Sequence, residues 1–164
     1  MSSYSALATF ADPAAGMTVS ATTGSGFVIR YDTDASDERA GPSPNESLLA
    51  ALAACASMDV ASILRKKRQV PDAYEIAVTG ERAEEHPRVY TSIVVEHRIV
   101  GDVELEAVRR SIELSASQYC PVNAMLSPTV RIEHRYRVWP ASGEGDGEAG
   151  LVLAVGPEAQ AATG

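Results

Sequence analysis

The chain opens with two runs rich in β-branched and aromatic residues, Met17 to Thr22 and Phe27 to Asp32. Gly24-Ser25-Gly26 lies between them, and the pattern predicts a hairpin. The polar stretch Asp32 to Ser43, with Gly41 and Pro42, reads as a loop. Ser43-Pro44-Asn45-Glu46 then forms a capping box with proline at the first helical position, so a helix should run from there to about Lys67. Its first half is apolar on nearly every face, which predicts burial all round. Tyr74 to Arg82 and Val89 to Val100 read as two long strands, joined as a hairpin through the polar segment at Pro87. Val94, Val95, Ile99 and Val100 place apolar residues on both faces of the second strand. Asp102 is placed to cap a second helix, with Leu105, Val108, Ile112 and Ala116 on one stripe and Pro121 ending it. Asn123 to Leu126 can add another helical turn. Thr129 to Trp139 alternates Val130, Ile132, His134, Tyr136 and Val138 on one face, the pattern of a closing strand.

The predicted order is β-β-α-β-β-α-β, an α+β fold in one domain over residues 1–140. One small domain with two helices covers an all-apolar helix poorly, so a second copy of the chain is expected against it. Residues 141–164 are low in complexity: 12 of the 24 are alanine or glycine, and the segment is expected to be disordered. The apolar run Leu48 to Ala56 is short for a bilayer and Asp59 follows it, so no membrane partner is expected. The first residues carry no basic n-region and no long apolar stretch, so no secretory signal is read and a cytoplasmic address is expected.

Net charge is −8, and four of the acids sit in the 141–164 tail with no Lys or Arg. Nucleic acid is excluded as an expected partner, because phosphate contacts need clustered positive charge. The one basic cluster, Arg65-Lys66-Lys67-Arg68, is placed as a solvated helix C-terminus. Dinucleotide and phosphate loops are absent, and His86, His97 and His134 share no ligand spacing, so no metal and no cofactor are expected.

The two cysteines carry the chemistry. Cys55 stands inside the Ala/Leu helix, where a thiol is commonly a small hydrophobe and a poor nucleophile unless a cation lies beside it. Glu46 is explained as a capping-box carboxylate. Cys120 precedes Pro121; if a helix restarts there, Cys120 is its cap residue and, on the residues alone, the better nucleophile of the two. The residues permit a redox pair without requiring one.

PNESLLAALAAC, MDVASILRKKR and SQYCPV together resemble the OsmC/Ohr family of thiol-dependent hydroperoxide reductases, and the second segment looks most like its OsmC-like branch. The resemblance implies an α+β fold in an intertwined homodimer with two sites at the interface. It implies that Cys55 is the peroxidatic thiol and Cys120 the resolving one, reversing the ranking above. It further implies a glutamate-held arginine beside Cys55: Glu46 matches the glutamate, Arg30 resembles the arginine position, and Arg39 is the runner-up. The implied reaction reduces an organic hydroperoxide to an alcohol through a Cys55 sulfenic acid and a Cys55–Cys120 disulfide, in oxidative stress defence, with an external dithiol as reductant. Two other readings stand beside it. One is a dimer of the same fold that holds a small apolar ligand at its interface without peroxidase activity. The weaker is a cysteine hydrolase, which lacks a histidine base in any recognisable motif.

Overall fold

The computed structural model describes residues 3–12, 14, 16–33 and 39–157. The chain divides into two compact units, Met1–Leu48 and Leu49–Gly164.

In the first unit, β1 (Ala6–Phe10), β2 (Val19–Thr23) and β3 (Val28–Tyr31) form an antiparallel sheet in chain order. The predicted hairpin is β2–β3; β1 is an additional strand. Asp32 then anchors the return of the chain. Its buried carboxylate accepts from the Thr18 hydroxyl and from the Ala40 N–H, each at 3.1 Å. Gly41 passes so close to β3 that a Cβ would stand 2.1 Å from the Arg30 carbonyl oxygen, so only glycine fits.

α1 (Pro44–Lys66) starts where the capping box predicts. The Glu46 carboxylate accepts from both the Ser43 N–H and the Ser43 hydroxyl at 2.7 Å, and the Glu46 N–H donates back to the Ser43 hydroxyl at 3.3 Å. Burial along α1 is narrower than its composition suggests. Leu52, Ala56, Val60 and Leu64 form one buried stripe at helical spacing, while Leu48 and Met58 are 38% and 71% exposed. The helix is long and apolar enough to cross a membrane by length and composition, and 22% of its most apolar stretch is buried within the chain.

The second unit is built on β4 (Ala73–Arg82), β5 (Tyr90–Val100), β6 (Arg131–Trp139) and β7 (Glu148–Val155), a four-stranded sheet in that order. The β4–β5 and β6–β7 pairs are antiparallel and β5–β6 is parallel. The parallel pair requires a crossover, supplied by α2 (Leu105–Leu114), a π-helical turn (Ser115–Tyr119) and α3 (Pro121–Leu126). α2 begins at Leu105 rather than at Asp102: no side chain caps its first turn, and the Glu104 N–H is satisfied by the Gln69 side-chain oxygen at 2.8 Å. α1 and the crossover helices pack on one face of the sheet. Leu52 joins Tyr90, Ile93, Val95, Val130 and Ile132, while Val60 and Leu64 join Ile99, Val108, Ile112 and Tyr136. Each fully buried Leu or Ile contributes about 2 kcal/mol.

β7 corrects the expectation of disorder over residues 141–164. Its apolar run pairs with β6 from Ile132↔Val155 to Val138↔Glu148. Even its glycine has a packing reason, because a Cβ at Gly150 would meet the Tyr136 hydroxyl oxygen at 2.9 Å. Residues 158–164 of the tail lie outside the described residues.

Candidate active site

Cys55 sits on α1 beside the buried stripe, half-buried against the Leu52 cluster. Cys120 is buried and caps α3, as a helix restart at Pro121 requires. Its Sγ accepts from the Asn123 N–H at 3.4 Å. The two sulfurs, both free thiols, lie within 4.8 Å of each other. Closure to a disulfide bond of about 2.05 Å therefore needs only a local adjustment.

Burial, followed by the neighbouring Cys55 thiol, pushes the Cys120 thiol up to about 12. The backbone N–H groups of Asn123 and Val122 oppose that rise and lose. Cys120 is therefore held as a thiol, and its place at a helix start does not make it the better nucleophile.

A third group joins the pair. A carboxylate oxygen of Asp59 lies within 4.8 Å of both sulfurs. The sequence reading passed over Asp59; its signal was the spacing of four from Cys55, which puts both side chains on one helix face. The buried Ser115 hydroxyl donates to Asp59 Oδ2 at 3.2 Å. Asp59 also lines a groove of about 280 Å³, with Ser62, Ile63, Lys66, Leu114 and Tyr119. Neither cysteine lines this groove; Asp59 is the residue that it shares with the thiol pair.

Behind Cys120 runs a buried polar chain. The Tyr74 hydroxyl meets His97 Nδ1 at 2.8 Å, the His97 and His134 ring centres are 5.9 Å apart, and His134 Nε2 meets Asn123 Oδ1 at 3.0 Å. The Asn123 amide nitrogen donates to the Ala116 carbonyl at 2.8 Å, so its oxygen accepts and His134 carries its proton on Nε2. Burial, then the other histidine, lowers His97 to about 3, and burial lowers His134 to about 4, so both are neutral. The Tyr74 phenol is pushed up by burial first and by Asp59 second. Of the two, His134 holds the segment that carries Cys120, through Asn123. Their only sequence signal was inward placement on strands: His97 between Val95 and Ile99, and His134 between Ile132 and Tyr136.

Glu46 and the arginines form a separate group. Arg39 reaches Glu46, Nη1 to Oε2 at 3.9 Å, with both side chains about half exposed, at 50% and 58%. Arg30 lies on β3 with its side chain exposed and makes no ion pair with Glu46. The structure thus brings Arg39, and not Arg30, to the glutamate. The Glu46 carboxyl is held below its ordinary range by Ser43, backbone first and hydroxyl second, with Arg39 a smaller contributor. Its capping and arginine-holding roles coexist.

An α+β chain of two sheets with a mid-helix thiol facing a cap thiol has the architecture of a dithiol protein of the OsmC/Ohr fold. The OsmC-like protein family model matches residues 35–135, and the chain belongs to that family. Protein YhfA of Escherichia coli is 40% identical over 124 residues, covering 75% of this chain and 91% of YhfA. A hypothetical protein from Aquifex aeolicus is similar in structure at a TM-score of 0.75 and 30% identity, over 85% of this chain and 98% of that one. An organic hydroperoxide resistance protein from Elizabethkingia anophelis shares the fold at a TM-score of 0.63 and 12% identity, over 85% and 97% of the two chains.

Proposed function

We propose that this protein is a cysteine-based peroxidase that reduces organic hydroperoxides to alcohols, in the cytoplasm and in defence against oxidative stress. The observation that carries the reading is the facing of two free thiols within 4.8 Å, one half-buried and one buried. Cys55, the more accessible sulfur, attacks the distal oxygen of ROOH as a thiolate. The O–O bond breaks, the alkoxide leaves as alcohol with a proton, and Cys55 becomes a sulfenic acid. Cys120 then attacks that sulfur, the S–O bond breaks, and water leaves. Burial holds Cys120 as a thiol, so its proton leaves during the attack, and the Asp59 carboxylate is placed to pass it to the departing hydroxide, which leaves as that water. An external dithiol reduces the disulfide by exchange.

The reading includes a homodimer. In the second unit the exposed Met58 of α1, and in the first unit the exposed Phe27 and Val28 at the start of β3, each leave apolar surface for a second copy to cover. The dimer also bears on the arginine. Glu46 and Cys55 are nine residues apart on one helix, about two and a half turns, so they leave it on opposite sides roughly 13 Å apart along the axis. An arginine held by Glu46 therefore serves Cys55 more readily across the interface, from the other chain. A guanidinium there would stabilise the thiolate.

A second reading is favoured by the chemistry around Cys55. The Asp59 carboxylate lies within 4.8 Å of both sulfurs, and the groove it lines is partly apolar through Ile63, Leu114 and Tyr119. A dimer of this fold that holds a small apolar ligand would keep those features without turnover.

Rapid mixing of the reduced protein with one equivalent of an alkyl hydroperoxide separates the two. The peroxidase should lose both thiols and gain one intramolecular disulfide, and Cys55→Ser should not react. Two free thiols per chain at unchanged mass would leave the ligand-binding reading.

A further inference from the structure

We propose that Cys55, Asp59 and Cys120 of the reduced protein form a binding site for one thiophilic divalent cation of the zinc class. The three donor atoms lie within 4.8 Å of one another. Zinc bound by thiolate at about 2.3 Å and by carboxylate at about 2.0–2.2 Å spaces its donors roughly 3.3–3.8 Å apart, so the set must contract by at most about 1–1.5 Å. Two of the donors are at i and i+4 on α1, a rigid element that projects both from one face. The third arrives on the segment between the π-helical turn and α3.

The surroundings suit charged donors. The Asn123 N–H already points at Cys120 Sγ at 3.4 Å, and the Ser115 hydroxyl orients the Asp59 carboxylate at 3.2 Å. Outer hydrogen bonds of this kind fix metal ligands and tune them. Cys55 and Asp59 are half-buried and Cys120 is buried, so the set is open on the groove side, where water supplies a fourth ligand. The pairing of two sulfurs with one oxygen selects against magnesium and calcium, which take oxygen ligands. Binding is balanced as M²⁺ plus two thiols giving a dithiolate complex and two protons released to solvent. The site requires reduced cysteines only, so it stands apart from the peroxidase reading.

The test is anaerobic titration of the reduced, chelator-washed protein with cobalt(II) and then zinc(II). Sulfur-to-cobalt charge-transfer absorption is followed, with bound zinc measured by elemental analysis. One cation per chain is expected, with absorption lost on zinc displacement. Cys55→Ser should lose most of the charge-transfer band. Asp59→Ala, a helix-favouring change at a half-buried position, should weaken affinity roughly tenfold or more, the scale on which even outer-shell partners act. Circular dichroism confirms that each variant is folded; should Cys120→Ser fail to fold, Cys55→Ser and Asp59→Ala carry the test. Absence of stoichiometric binding would overturn the proposal. So would an Asp59→Ala protein that binds like the wild type, which would indicate a bare dithiol. Disulfide formation with peroxide but no metal binding rejects this site alone; metal binding without peroxide reactivity rejects only the peroxidase.

Discussion

The two faces of the four-stranded sheet use the same strands to opposite ends. On the open face, charges stand in rows. Glu75 and Glu96 hold Arg98 at 3.2 and 2.6 Å, Glu96 also meets Arg137 at 3.6 Å, and Glu133 lies between Arg131 and Arg135. On the helix-covered face, one residue away along each strand, stand Tyr74, His97 and His134, all neutral; Tyr74 is hydrogen-bonded to His97 and His134 to Asn123, and the two imidazoles are in ring contact. Water screens the first set, and each pair there is worth little. The second set has no water to fall back on, so each partner is worth its full desolvation penalty. The difference teaches where the chemistry can be: the thiols are placed where polar geometry is enforced.

The largest effect expected is chemical. Cys120→Ser should abolish the intramolecular disulfide and leave Cys55 to over-oxidise or to pair between chains under peroxide, which mass spectrometry of the intact protein will read. No change on the open face should do this.

His134→Ala should cost about 3 kcal/mol in urea unfolding, because it leaves a cavity and strands the Asn123 carbonyl oxygen. It should also slow disulfide formation relative to a surface variant of equal stability, by loosening the Cys120 turn. Equal rates would reduce the histidine to packing.

Acid should separate the faces. An unfolded histidine takes its proton near 6.5, while folded His97 and His134 do so only near 3 and 4. The unfolded chain thus binds more protons between those values. The histidine contribution is fully present above pH 6.5 and declines as pH falls toward 4. Glu96 and Glu133 are held below the ordinary carboxylate value by their arginines, Arg98 and Arg135 respectively. Their contribution is present above that value and is lost only at lower pH, as they protonate. A urea midpoint that does not move between about pH 7 and pH 5 would contradict the neutral buried histidines.

The smallest effect belongs to Glu96→Gln, expected below about 1 kcal/mol and smaller still in high salt. A loss comparable to that of His134→Ala would erase the contrast.

What the sequence disclosed follows the same division. Signals local to one element were legible: Ser43 to Glu46 as a cap, the alternation from Val130 to Val138, and the hairpin around Gly24-Ser25-Gly26 all form as read. The resemblance to OsmC/Ohr proteins carried the fold. Signals that need a partner were not legible. β7 was hidden because Ala and Gly between Ala141 and Gly164 resemble a disordered tail, and only pairing with β6 shows Leu151 to Val155 as a strand. Asp59 reads as an ordinary helix polar residue until Cys120 arrives across the fold. The arginine question turned on the return of the chain around Asp32, which carries Arg39 to Glu46.

β7 has one more consequence. It is one of the two edge strands of its sheet, and Leu151 to Val155 contains no charge. Such an edge is a template on which strands of other molecules can grow. The ladder beneath it is interrupted by a register shift at His134/Arg135, and glycines with positive φ, Gly147 and Gly156, flank it. These devices shorten and twist the template. A lysine in place of the exposed Leu151 would guard it further, and concentrated solutions of that variant should stay clear longer on storage.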